Sequence, residues 1–455
     1  MHAPKFSCAR VSGRSVWALL FLMLLNAGCR TSSPQAAATV GALSIADSPE
    51  MTPVLEAAER YRVQILISEV VTEPSRPPTL RRKGYRLGAE YFYPASTVKL
   101  CGAVAALQVC EELAANGAGV DLLDVPFAIE PLFDGDARQQ KDASNRRGGV
   151  LTIGHCIRRI ALVSDNEAFN HLFDVVGHER LNWSMHAAGL RSTVINHRLS
   201  ESRRLPNPTD SAAVTWQLPD GRTLQVPARR SHLHLTNRPS GTRIGNAYMN
   251  AGARVESPLD FTARNGIDLL DLQDLLIQVV RPDVAIGKPG IQLSPSHRAF
   301  LVEAMTEYPR ESINPVYLAQ TYPDDYCKFL LPGVRRVFPD KEGARRIQVT
   351  GKIGRAYGFT IENAYLANPM NGKAVFVSAV LYTNSDGVLN DDAYEYLTVA
   401  DPFMEGLGEF VARTSLSDTP RTGASIPRAR QKSPAVKALE PGPVSRVSRA
   451  SEGLP

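Results

Sequence analysis

The chain has no C-x-x-C pair, no G-x-G-x-x-G or P-loop glycine pattern, and no apolar run of the roughly 18 residues needed to cross a bilayer. Its six cysteines are scattered singly, which argues against a metal knuckle. Without a glycine-rich phosphate loop, the common sequence cradle for a dinucleotide or nucleoside triphosphate is missing. His232-Leu233-His234 would place two imidazoles on one strand face, but no acid or cysteine at ligand spacing accompanies them, so neither a metal nor a cofactor is expected. Concentrated charge is also missing where it would matter. Of the formal net charge of +5, residues 1–28 carry +3 and the tail from Ser415 carries +4, so residues 29–414 carry −2. That field does not attract nucleic acid, and no nucleic-acid partner is expected.

What is present begins with an export signal. Basic residues up to Arg14 precede the apolar run Val16 to Leu25 and the small pair Ala27-Gly28, the pattern of a secretory leader. Leu25-Asn26-Ala27-Gly28-Cys29 resembles a bacterial lipobox, with Asn26 where an aliphatic residue is usual. The resemblance implies lipidation at Cys29 and a membrane-anchored envelope lipoprotein; plain cleavage near Gly28 into the periplasm is the alternative. Residues 30–50, rich in Ser, Ala, Thr and Pro, read as a tether. The tail 415–455 is rich in Ser, Pro, Arg and Ala, and no packed core is expected there.

Between them, periodicity predicts a helix over 51–61, strands over 61–71 and 84–93, and helices over 96–116 and 152–176. The stretch 203–250 reads as an inserted flap with a hairpin, Thr215 to Leu218 and Arg222 to Val226, joined at Pro219-Asp220-Gly221. Helices follow over 267–280 and 296–308, then strands over 346–350, 357–366 and 373–382, and a helix over 392–413. Strands at both ends with helices between them give one α/β domain over 51–414: an antiparallel sheet flanked by helices, with a mostly helical subdomain. It is expected to be a monomer.

Ser96-Thr97-Val98-Lys99 opens a helix with a hydroxyl and an amine one turn apart, on one face, where the amine can take the hydroxyl proton. The helix N-terminus favours a developing oxyanion. Ser164-Asp165-Asn166, within Ser164 to Asn170, ends the second helical stretch. Lys352-Ile353-Gly354 falls between two alternating strand runs. Lys288-Pro289-Gly290 spells the same K-x-G, but prolines on either side exclude a central strand, so Lys352 is preferred.

S-x-x-K, S-D-N and K-x-G in this order resemble the penicillin-recognising serine hydrolases, and the form Ser164-Asp165-Asn166-x-Ala168-x-Asn170 resembles the class A β-lactamases most. The resemblance implies that Ser96 is acylated and that Lys99 helps remove its proton. Ser164 would relay a proton to the leaving nitrogen, Asn166 would bind the substrate amide, and Asp165 would pin the loop. Lys352 and Gly354 belong to the strand that holds the substrate carboxylate, with the oxyanion held by the backbone N–H groups of Ser96 and Arg355. The family joins two of its helices by a disulfide at positions near Cys101 and Cys156, here out of register; two buried free thiols are the alternative.

Three departures accompany the resemblance. Ile353 replaces a hydroxyl residue, a loss that Arg355 could offset. The deacylating glutamate has no exact counterpart: alignment places Ser200 there, with Glu201 one residue late. And 188 residues separate Ser164 from Lys352. The expected activity is hydrolysis of a small-molecule β-lactam through an acyl-Ser96 intermediate. The alternatives are a D,D-peptidase, amidase or esterase acting on cell-wall peptides, or a non-catalytic envelope-anchored binding protein.

Overall fold

The computed structural model describes residues 40–45, 48–201, 207–238, 240–340 and 346–418. The expected leader over 1–28, Cys29, most of the tether and most of the tail lie outside them. All described residues belong to one compact unit.

In chain order the strands are β1 (Val40–Ala42), β2 (Gln64–Val71), β3 (Thr79–Tyr85), β4 (Phe127–Ile129), β5 (Val214–Gln217), β6 (Thr223–Val226), β7 (Arg243–Ile244), β8 (Ala247–Asn250), β9 (Ala253–Val255), β10 (Leu259–Asp260), β11 (Gln348–Gly351), β12 (Gly354–Ala356), β13 (Phe359–Ala367), β14 (Ala374–Tyr382) and β15 (Val388–Leu389). The α-helices are α1 (Thr52–Glu56), α2 (Lys99–Leu113), α3 (Ile153–Val163), α4 (Asn166–Val176), α5 (His178–Ala187), α6 (Leu269–Val280), α7 (Pro295–Thr306), α8 (Leu331–Val337) and α9 (Asp401–Val411).

The main sheet runs β1-β3-β2-β14-β13-β11, with β12 also on β13. Every pairing in it is antiparallel except the short parallel contact of β1 with β3. β14 is rich in β-branched and aromatic residues and buried on both faces. Val375, Val377, Ala379 and Leu381 face one core with Phe403, Met404 and Leu407 of α9 and Leu331 and Val334 of α8. The alternate residues Phe376 and Val380 face the other side, Phe376 toward the helices and Val380 toward Leu269 and Leu272 of α6. α2 is the axis of the helical layer, apolar on all sides for most of its length, as a helix surrounded by other elements must be.

Three expectations are corrected. The strand expected at 84–93 lies at β3, where Arg81, Arg82 and Lys83 conceal it; Arg82 is buried against Asp274 and Arg81 pairs with Glu69. The helix expected over 392–413 begins at Tyr396 with a π-helical turn, Tyr396–Ala400, that runs into the α-helix at Asp401; residues 392–395 are not helical. The stretch 203–250 is not a free flap: Trp216 of β5 is fully buried against Phe127 of β4, so the hairpin completes the helical core. The later part turns to the other side, where β8 pairs with β15.

Candidate active site

Ser96 sits on a tight 3-10 turn, Ala95–Val98, that leads straight into α2. The Thr97 hydroxyl and N–H both donate to the Pro94 carbonyl, at 2.7 and 3.1 Å, locking the turn, while Ala95 is held at φ 49° in the left-handed region. β12 passes so close to this turn that a Cβ on Gly354 would stand 2.6 Å from the Pro94 oxygen and 3.1 Å from the Ser96 nitrogen. Only glycine lets the two backbones meet there.

The single helix expected over 152–176 breaks at Ser164, which caps α3 with φ 58°. Asp165 then starts α4: its Oδ1 accepts from the Ala168 N–H at 2.8 Å. Its Oδ2 accepts from Arg159 at 2.8 Å, and Arg159 also reaches Asp142 at 2.7 Å and Glu167 at 3.0 Å. Asp165 thus pins the loop on two sides, leaving Ser164 and Asn166 to face inward. Asn170 exchanges two hydrogen bonds of 2.9 Å with Leu199, which fixes the next loop beside them.

Lys99 is fully buried and its ammonium donates to the Ser164 carbonyl, to Asn166 Oδ1 at 2.5 Å and to Ser164 Oγ at 3.3 Å. Lys352, on the turn between β11 and β12, donates to Ser164 Oγ at 2.7 Å and to the Ile353 carbonyl at 2.9 Å. Ser164 Oγ therefore lies between two lysine amines. Burial lowers Lys352 to about 8, opposed by the nearby Cys327 and Glu362. Lys288 is elsewhere, paired with Asp271 and with Asp274 at 2.7 Å, so it is no rival.

A cavity of about 550 Å³ opens over this group, lined among others by Ser96, Asn166, Ser200 and Arg355. Asn166 Nδ2 donates to Ser200 Oγ at 2.7 Å, so Ser200 occupies the wall beside Asn166; Glu201 is not part of the lining. The Arg355 guanidinium pairs with Asp401 and stacks over the rings of Phe329 at 4.3 Å and Tyr396 at 4.8 Å. Its charge is already matched, unlike the free arginine that could replace a missing hydroxyl at position 353. Sequence reasoning missed the wall made by Asn390, Asp392, Tyr394, Tyr396 and Leu397, because that segment reads as helix. The Tyr394 and Tyr396 hydroxyls accept from the N–H groups of Asn390 and Gly358, at 2.7 and 2.8 Å, which fixes both rings.

Among the described residues Cys101, Cys110, Cys156 and Cys327 are all buried free thiols, so Cys101 and Cys156 form no disulfide. No group of His, Cys, Asp and Glu among the described residues could hold a metal ion.

Residues 84–255 match the model of the beta-lactamase enzyme family, a segment holding Ser96, Lys99, Ser164, Asn166 and Ser200. Over that segment the chain is similar to that family. No curated protein matches the sequence. Solved structures similar to the chain include L2 complexed with relebactam (18% identity, TM-score 0.44, covering 80% of this chain and 96% of that one). Another is a β-lactamase from Burkholderia vietnamiensis (15%, TM-score 0.42, 81% and 97%), and a third is a β-lactamase from Burkholderia ambifaria (17%, TM-score 0.43, 79% and 97%).

Proposed function

We propose that the protein is an envelope-directed serine hydrolase that opens β-lactams through an acyl-Ser96 intermediate and releases the acyl group slowly. The observation that carries the first half is Ser164 Oγ held between Lys99 and Lys352 beside a cavity that Ser96 and Asn166 line. In its neutral amine form Lys99 accepts the Ser96 proton as Ser96 Oγ bonds to the substrate carbonyl carbon. The carbonyl oxygen becomes an oxyanion held by the backbone N–H groups of Ser96 and Arg355. As the C–N bond breaks, Ser164 passes its hydroxyl proton to the leaving nitrogen and is reprotonated from the lysines.

Slow release rests on Ser200. A hydroxyl, which is no general base, stands where a carboxylate would activate water, and among the described residues the one carboxylate of the cavity lining, Asp392, belongs to the segment after β15. Export, and anchoring through Cys29, rest on the leader pattern alone; no helix among the described residues is long and apolar enough to cross a membrane.

Intact mass of the purified protein incubated with a penicillin, followed in time beside a Ser96→Ala control, tests this reading. The expected result is an adduct of one penicillin mass that forms on the wild type, decays over many minutes and is missing from the control. A permanent adduct favours a D,D-peptidase or related acyltransferase. Absence of any adduct, or its persistence in Ser96→Ala, removes Ser96 as nucleophile.

A further inference from the structure

Behind Lys352 lies a group of buried ionisable side chains that the acylation chemistry does not use. Cys327 and Lys328 precede α8 and Glu362 is on β13; their exposures are 5, 4 and 0%, against 2% for Lys352 and 0% for Lys99. Three lysines are thus withdrawn from water with one carboxylate among them. Lys328 donates to the carbonyls of Met305 and Val349 at 2.7 and 2.8 Å, so its hydrogen-bond partners, like those of Lys352, are neutral oxygens. Glu362 Oε2 accepts from the Leu330 N–H at 3.3 Å, while its Oε1 has no hydrogen-bond partner among the described residues. The Lys352 N–H donates to the carbonyl of Asn363 at 3.0 Å, so Glu362 is anchored one residue along the neighbouring strand.

Buried ammonium groups facing only neutral oxygens are poorly compensated, and a carboxylate with an unfilled oxygen is the compensating charge this cluster contains. Burial lowers Lys328 and Lys352 to about 8 and raises Glu362 to about 7; Lys328 and then Lys352 oppose the rise in Glu362, and Glu362 opposes the fall in both lysines. The other titratable and charged neighbours are Cys327, whose thiol burial pushes up and which faces Lys99 as well, Tyr308, whose ring lies 5.8 Å from the Lys328 amine, and Arg346 and Glu311, which act on Lys328 in opposite senses.

We propose that Glu362 is a positioning residue for the active site: its carboxylate keeps Lys352 in the ammonium form that holds Ser164, and Lys328 competes for that same carboxylate. Glu362 touches no reacting atom and acts only through Lys352. The kinetic consequence rests on the acyl-Ser96 reading; the charge coupling does not.

The coupling is read without substrate, by following the 13Cε lysine signals of the full folded protein through pH, with Lys352 assigned by its loss in Lys352→Arg. Glu362→Gln, which keeps an oxygen for the Leu330 N–H, is expected to move the Lys352 midpoint down by about one pH unit. Lys328→Met is expected to move it up, and the double variant to keep the midpoint of Glu362→Gln, since no carboxylate is left to compete for. Acylation by a fluorescent penicillin between pH 5 and 10 would follow: the alkaline limb shifts with the Lys352 midpoint while the plateau holds. A Lys352 midpoint unchanged in both Glu362→Gln and Lys328→Met overturns the proposal, as does an acylation rate lowered equally at every pH. If Glu362→Gln does not fold, Lys328→Met decides alone, with the opposite sign. A wild type that takes no penicillin while the midpoint moves defeats only the acyl-Ser96 reading.

Discussion

At the scale of single residues, the proposed mechanism makes the position beside Asn166 decide what happens after acylation. Ser200 is held there by Asn166 Nδ2 and by a backbone with φ 52°, and its loop is fixed by Asn170. A carboxylate in that place would draw a proton from water, which a serine hydroxyl does not do at neutral pH. Ser200→Glu is therefore expected to speed decay of the penicillin adduct by at least tenfold while leaving the rate of its formation within a few-fold. The check is the adduct half-life by intact mass; an unchanged half-life shows that the water is activated elsewhere, with Asp392 the next carboxylate to replace. Residues whose chemistry depends on fixed spacing, Ser96, Lys99, Ser164, Asn166 and Lys352, were picked out in the sequence; the structure brings Lys99 and Lys352 onto the Ser164 hydroxyl, Asn166 onto Lys99, and Ser96 and Asn166 into the lining of one cavity. Glu362 and Lys328 were not, since a lone acid in a strand and a lone lysine in a loop look like solvated charges until topology buries them.

At the scale of elements, two short backbone devices place the nucleophile. The 3-10 turn carries Ser96, and β12 lies against it through Gly354. Gly354→Ala puts a methyl 2.6 Å from the Pro94 oxygen, so either the turn or the strand edge must move. Overpacking of this kind costs about 1–3 kcal/mol. Denaturant unfolding should show that loss, and acylation should fall at least a hundredfold because the displaced backbone also carries the N–H groups that hold the oxyanion in the proposed mechanism. A variant as active as the wild type would mean that β12 yields freely and takes no part in holding the oxyanion. Legibility at this scale followed periodicity. β13 and β14 read as strands because β-branched and aromatic residues recur along them, whereas β3 was misplaced because its arginines find partners on β2 and α6. The helix end read at Ser164-Asp165-Asn166 is there, but the amphipathic pattern resumes at once in α4, within the same stretch 152–176.

At the scale of the whole molecule, the long separation between Ser164 and Lys352 is filled by parts that belong to the fold. β5 and β6 extend β4 into a three-stranded sheet, and Trp216 is 0% exposed among the helical core residues, in contact with Phe127. A detachable flap over 203–250 would leave such a residue half in water. Trp216→Ala removes a large buried ring from a close-packed region and is expected to cost about 3–5 kcal/mol, a large fraction of the stability of an ordinary domain. Asn166, Asn170 and the loop at Leu199 stand on the same helical layer, so the loss should spread to the site. Near the melting midpoint, acylation of Ser96 should fall in step with loss of helical circular dichroism. Were the variant to melt within a degree or two of the wild type with acylation intact, the hairpin would be an appendage, and the helical layer would be stable without it.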